Sequence, residues 1–229
     1  MAKTKLGLAS RIQVLERAVR KLEKRLAPPV VKIFVLPGGK MPERQTGGAA
    51  GYDVHLRAVV CPHEMDERNP KLRKLLFDFK TIPEDPKIRR YVVRADKNGR
   101  EFPLHSSEGE LVYGLPPGES VLVGIGFATE MPFPHMYWVL PRSGLASKYG
   151  IVVSNAPGTV DADYRGEAGV IVRSYRSTYF YLRHQMRVSQ IAFQKVEIPQ
   201  LVQVRRYSDL SQTARGAGGF GSTGIEAKK

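Results

Sequence analysis

The 229-residue sequence contains one cysteine, Cys61, and one tryptophan. A single thiol excludes an intrachain disulfide. It is what a reducing compartment permits, so a cytoplasmic location is the expectation. Histidine is nearly as scarce, with five scattered through the chain, which argues against a zinc site. No apolar run approaches the ~20 residues needed to span a bilayer, and no membrane contact is expected. The opening "MAKTKLGLASRIQVL" has basic charge but not the apolar core and small-residue cleavage site of a signal peptide. Acidic residues are also in deficit: 22 Asp and Glu against 36 Lys and Arg leave a formal net charge of +14. That excess fits a polyanionic partner, nucleic acid or a phosphate-rich small molecule. It fits a solvated basic surface equally well.

Part of the excess is local. Residues 1–29 hold eight Lys and Arg and two Glu. Within them Leu8, Ile12, Leu15, Val19, Leu22 and Leu26 recur at heptad spacing, which predicts an amphipathic helix over 8–26. Pro28 and Pro29 end it. The stripe fits an oligomerising coiled coil or a helix docked on its own domain. As a coil, Ile and Val at a with Leu at d lean toward two strands.

Beyond Pro29 the texture becomes β-like. Runs at 30–36, 120–131, 136–140, 150–155, 168–175, 178–182, 187–198 and 201–207 are rich in Val, Ile, Tyr and Phe. Pro, Gly and Asn punctuate them. Many short strands predict an all-β sandwich, jelly roll or barrel, with a short helical turn over 143–150. Residues 61–105 break the pattern with eleven Lys and Arg and eight Asp and Glu. They read as a charged insertion between strands, with a short helix in "NPKLRKLLFDF" that places Leu72, Leu75, Leu76 and Phe79 on one face.

Four polar, glycine-linked stretches interrupt the strands: "GGAAGYDVHL", "PRSGLA", "SNAPGTVDADYRGE" and "RGAGGFGSTG". Singly, each has an ordinary explanation as a turn, a helix start or a tail. Together they hold the parts of a nucleotide site. Arg142, Ser143, Arg215, Ser222 and Thr223 offer guanidinium forks and hydroxyls for phosphates. Asp53, Asp161 and Asp163 are carboxylates for a metal that otherwise binds water and phosphate oxygens. Phe220, flanked by glycines, can lie on a base. The last stretch is not a Walker loop, because no Lys precedes its Ser-Thr.

"AAGYDV", "PRSGLA", "GTVDADYRGEAGV", "RVSQIAF" and "RGAGGFGSTG", in that order, resemble the five motifs of the homotrimeric dUTPase (dUTP diphosphatase) family. The resemblance runs from Ala49 to Gly224. It implies a dUTPase-like jelly roll, or distorted β-barrel, extended by the N-terminal helix and the insertion. The expected division is a basic helix at 1–29, a β domain at 30–214 and an active-site arm at 215–229, mobile when empty. The reaction implied is Mg²⁺-dependent hydrolysis of dUTP to dUMP and pyrophosphate by water attack at the α-phosphorus. It limits dUTP and supplies dUMP for dTTP synthesis. The assembly implied is a homotrimer with active sites shared between subunits.

By the same resemblance, a β-hairpin around 155–164 pairs its backbone with uracil. Asn155, Gly158 and Val160 line the pyrimidine pocket and Tyr164 lies under the deoxyribose. Asp161 takes the 3′-hydroxyl and orients the attacking water. Arg142, Ser143, Gly144 and Gln190 match phosphate-binding positions, and Asp161 and Gln190 are the catalytic pair. Asp53 matches the carboxylate that holds Mg²⁺ through water. Arg215, Phe220, Gly221, Ser222 and Thr223 match the closing arm. One departure is Gln185-Met186 before "RVSQ", where the family commonly has Gly followed by an acid. Another reading is a dCTP deaminase, a relative of the same fold, but its catalytic Glu would fall at Ile171. A third is a regulatory or nucleic-acid-binding protein on this scaffold. It would use residues 1–29 and 61–105 to contact nucleic acid or protein, and it can coexist with catalysis.

Overall fold

Where apolar residues alternate, the chain forms strands. The computed structural model describes residues 8–219, the side chains of 22–26 excepted. The elements run α1 (Leu8–Leu26), β1 (Lys32–Val35), β2 (Tyr52–His55), β3 (Ala58–Met65), β4 (Arg73–Phe77), α2 (Pro86–Arg89), β5 (Val92–Ala95) and β6 (Glu101–Phe102). They continue with β7 (Glu110–Leu115), β8 (Ser120–Gly124), β9 (Phe127–Glu130), β10 (His135–Leu140), α3 (Ser143–Tyr149) and β11 (Ile151–Val153). The last strands are β12 (Gly158–Val160), β13 (Gly169–Ser174), β14 (Phe180–Leu182) and β15 (Arg187–Lys195).

The strands build four sheets, ordered β1-β9, β12-β10-β15-β2, β11-β13-β8-β3-β4 and β14-β7-β5-β6. Every pairing within them is antiparallel. Their inward faces meet in one core that includes Val54, Leu56, Phe77, Val123, Phe127, Tyr137, Val172, Leu182 and Ile191. Non-consecutive neighbours in the sheets are the mark of a jelly-roll-like fold. The described segment 197–219 forms a compact unit of its own, separate from the unit ending at Val196.

The structure corrects five local expectations. The helix expected in "NPKLRKLLFDF" is strand β4, which pairs with β3. Phe77 and Phe79 enter the core while Leu75 stays exposed, so a period of two and a waiting ladder override the short helical pattern. The 61–105 segment is not a detached charged loop. It supplies β4, β5 and β6, and buries Val92 and Ala95. The run at 120–131 is two strands, broken at Gly126, whose φ is +76°. The 155–164 stretch makes no ladder with itself. β11 pairs with β13 and β12 pairs with β10, so the chain changes sheets across the loop. Finally, 201–207 is not a strand. A strand needs a neighbour for its backbone groups, and Leu201 and Val202 stand 89% and 75% exposed.

The turn before β15 keeps its shape despite the departure noted above. Gln185 takes φ +61°, the left-handed conformation that glycine usually occupies. Its Nε2 donates to Gly38 O at 2.6 Å.

Candidate active site

Two groups of the expected residues form, at opposite ends of one strand. The first lies at the C-terminal end of β10. There the chain leaves the sheet at Pro141, and Arg142 becomes the N-cap of α3. Beside it, Leu140 pairs with Gln190 on β15 and Gln190 pairs with Asp53 on β2. Asp53 is buried, and a buried carboxylate needs partners. Arg142 Nε donates to Oδ1 and Arg187 Nη1 to Oδ2, each at 3.0 Å. Arg142 Nη1 also donates to Arg187 O at 3.1 Å. Gln190 Nε2 donates to Pro141 O at 2.9 Å, tying β15 to the start of α3. Gly51 belongs to this cluster through what it lacks. A Cβ there would fall well under 3.0 Å from Gln190 Oε1. Ser143 and Gly144, in the first turn of α3, are exposed.

The second group surrounds a groove of about 260 Å³ lined by Asn155, Val160, Asp161, Tyr164, Ile171 and Arg73, among others. Asn155, Asp161 and Tyr164 are exposed on its rim. Gly158 is buried beside Val139 and the Asn155 amide. Tyr164 Oη donates to Glu167 O at 3.0 Å, closing the loop on itself. Ile171, half-exposed on β13, places a hydrocarbon where the deaminase reading needs a general base.

Glu167 anchors this loop from behind. It is buried, and Arg57 grips it bidentately, Nε to Oε1 at 2.7 Å and Nη2 to Oε2 at 2.5 Å. Gly126 N also donates to Oε1 at 2.8 Å. Gly124 leaves the space: a Cβ there would collide with the carboxylate.

The two groups do not converge within one chain. β12 runs antiparallel to β10, with Val160 opposite Tyr137. Asp161 therefore continues toward Met136, whereas Arg142 leaves the other end of β10. Six residues separate those positions, roughly 20 Å at about 3.3 Å each.

Sequence reasoning missed four participants. Arg187 sits inside the quoted "RVSQIAF" and shares a strand with Gln190, so spacing could have flagged it. Arg57 and Arg73 carried no local signal. Glu167 was quoted in the third motif, but its burial was invisible. Of the arm residues, Arg215 lies in a turn, with its Nε donating to Gly218 O at 2.7 Å. Phe220, Gly221, Ser222 and Thr223 lie outside the described residues.

Charge near Asp53 is uneven. His55, two residues along β2, is buried. Burial first, and then the nearby Lys40, pull its pKa below the ordinary 6.5. Among the described residues no cluster of three or more His, Cys, Asp or Glu could grip a metal directly. A lone carboxylate with one lone pair per oxygen left beyond its two Arg bonds suits a cation held mainly by phosphate and water.

A sequence model of the dUTPase family matches residues 110–224, half of the chain. The chain belongs to the dUTPase family. Among curated relatives, the deoxyuridine 5′-triphosphate nucleotidohydrolase of Nautilia profundicola is 42% identical over 128 residues, 56% of this chain and 86% of the relative. That of Chlamydia trachomatis is 46% identical over 108 residues, 47% of this chain and 73% of the relative. Among solved structures, the dUTPase of Staphylococcus bacteriophage 80alpha superposes with a TM-score of 0.57 at 17% identity. It covers 86% of this chain and 99% of its own, a likeness of fold. The chain is an enzyme of the nucleotide-hydrolysing kind, and no described helix is long and apolar enough to cross a membrane.

Proposed function

We propose that the family's reaction, hydrolysis of dUTP to dUMP, proceeds here with release of pyrophosphate in sites shared between copies of the chain. The separation of Asp161 from Arg142 along β10 carries this reading. One phosphorus cannot receive an Asp161-oriented water and an Arg142-bound phosphate from the same copy. A cyclic homotrimer resolves this, because each head-to-tail interface brings one copy's Asp161 groove to the next copy's Arg142 cluster. The exposed apolar residues of 198–204 supply further surface for such contacts.

In the shared site, Asn155, Gly158 and Val160 receive the uracil and Tyr164 backs the sugar. Asp161 accepts the 3′-hydroxyl and holds the water in line, since such displacements depend mainly on positioning and charge neutralisation. Arg142, Ser143 and Gly144 bind phosphate oxygens. Arg142 is pre-oriented by Asp53, and Gln190 fixes the corner at Pro141 while its second N–H remains for phosphate. Arg215, Phe220, Gly221, Ser222 and Thr223 close over the substrate. Magnesium, when bound, offsets charge on the triphosphate, and Asp53 meets it through water.

The test mixes two inactive chains, Asp161→Asn and Arg142→Ala, after co-unfolding and refolding. Random trimers with shared sites regain about a quarter of parental turnover, since one interface in four pairs two intact halves. Recovery near zero, with trimers formed, refutes sharing.

A further inference from the structure

We infer that α1 is a parallel coiled coil joining copies of this chain within one assembly. The apolar stripe is unpartnered: Leu8, Ile12, Leu15 and Val19 are 75%, 47%, 64% and 51% exposed. Among the described residues, no hydrogen bond or ion pair ties α1 to the β domain. A docked helix would bury this stripe against its own body, and this one does not.

The charges beside the stripe name the occupant and its direction. With Ile12 and Val19 at a, and Leu8 and Leu15 at d, Arg11 falls at g and Glu16 at e. In a parallel pair, g faces the e of the next heptad on the partner helix, five residues on. Arg11 then meets Glu16 of the other copy, and the reverse contact forms as well. In an antiparallel pair, e faces e and Glu16 would meet its own copy, a like-charge contact. The helix is thus complementary to itself in one orientation. Parallel helices are related by a rotation axis along their length, and a cyclic assembly supplies such an axis. At nineteen residues the helix is marginal alone. Tethering several copies to one β-domain assembly raises their effective concentration and offsets that weakness. This step rests on the cyclic assembly proposed above.

The experiment uses the full chain carrying Cys61→Ser and Leu8→Cys. Mild oxidation is expected to link copies covalently through position 8, which a parallel coil places against itself and an antiparallel coil places against position 26. Adding Leu15→Glu and Val19→Glu should abolish linkage while dUTP turnover and native mass persist. Arg11→Glu should slow linkage about two- to fivefold, the weight of exposed ion pairs, and Arg11→Glu with Glu16→Arg should restore it. No linkage, linkage indifferent to the Leu15 and Val19 changes, a charge swap that fails to restore, or doubling of native mass on oxidation overturns the inference. A monomeric mass before oxidation instead overturns the cyclic assembly, so the two failures are distinguishable.

Discussion

Replacing Glu167 by Gln should cost the fold about 3 kcal/mol. The Glu167 side chain is 1% exposed and Arg57 is 14% exposed. Gln keeps the shape but leaves the Arg57 guanidinium largely buried without a counter-charge. Breaking one side of a buried pair costs ~3–5 kcal/mol, and the residual exposure of Arg57 places this case at the low end. For a domain of this size that corresponds to a midpoint lowered by roughly 6–12 °C. Chemical denaturation at fixed protein concentration measures it directly, concentration being controlled because assembly adds to apparent stability. The double change Glu167→Leu with Arg57→Met should recover to within about 1 kcal/mol of the parent, since the pair's desolvation penalty disappears with it. Gly124→Ala gives an independent check. It should destabilise by about 1–3 kcal/mol in the parent through overpacking, and markedly less when Glu167 is already Ala. A Glu167→Gln protein within 0.5 kcal/mol of the parent would refute the reasoning, because it would mean the carboxylate contributes nothing beyond its volume.

Two further outcomes follow from the Asp53 cluster. His55 holds a folded-state pKa below its unfolded 6.5, so the unfolded chain binds more protons between those values. Stability is then full above about 6.5 and falls as pH drops through the interval to the folded value, levelling below it. Unfolding midpoints across pH 5–8 should show this slope, and His55→Gln should flatten it. Gly51→Ala should leave the unfolding midpoint nearly unchanged, because the atom it meets is the end of a flexible side chain. It should lower kcat about 10- to 100-fold by displacing Gln190 from the corner it positions. Unchanged turnover would remove Gln190 from the site.

Much of the site was readable locally. Arg142, Ser143 and Gly144 stand in a short motif whose helix formed where expected. Asn155, Asp161 and Tyr164 share a short stretch, and the structure gathers them into one groove. Strand β4 was not readable: Leu72, Leu75, Leu76 and Phe79 suit a helical face as well as a pleat over so few residues. The choice was made by β3, whose open edge offered hydrogen bonds. Arg57 opposite Glu167 could not be read either, because 110 residues separate them and no local period encodes that meeting.

By itself, then, the sequence determined the chemistry available and the local periods: phosphate-binding forks, an aspartate beside a tyrosine, glycines where side chains would obstruct, a heptad helix and many short strands. Side-chain type and spacing along one element carry that information. Tertiary structure alone decided which residues meet. It buried Asp53 between Arg142 and Arg187, set Glu167 into the space left by Gly124, and sent Asp161 and Arg142 to opposite ends of β10. Those outcomes depend on sheet order and register, which arise from hydrogen-bond ladders between distant segments and from one core satisfied by all of them at once.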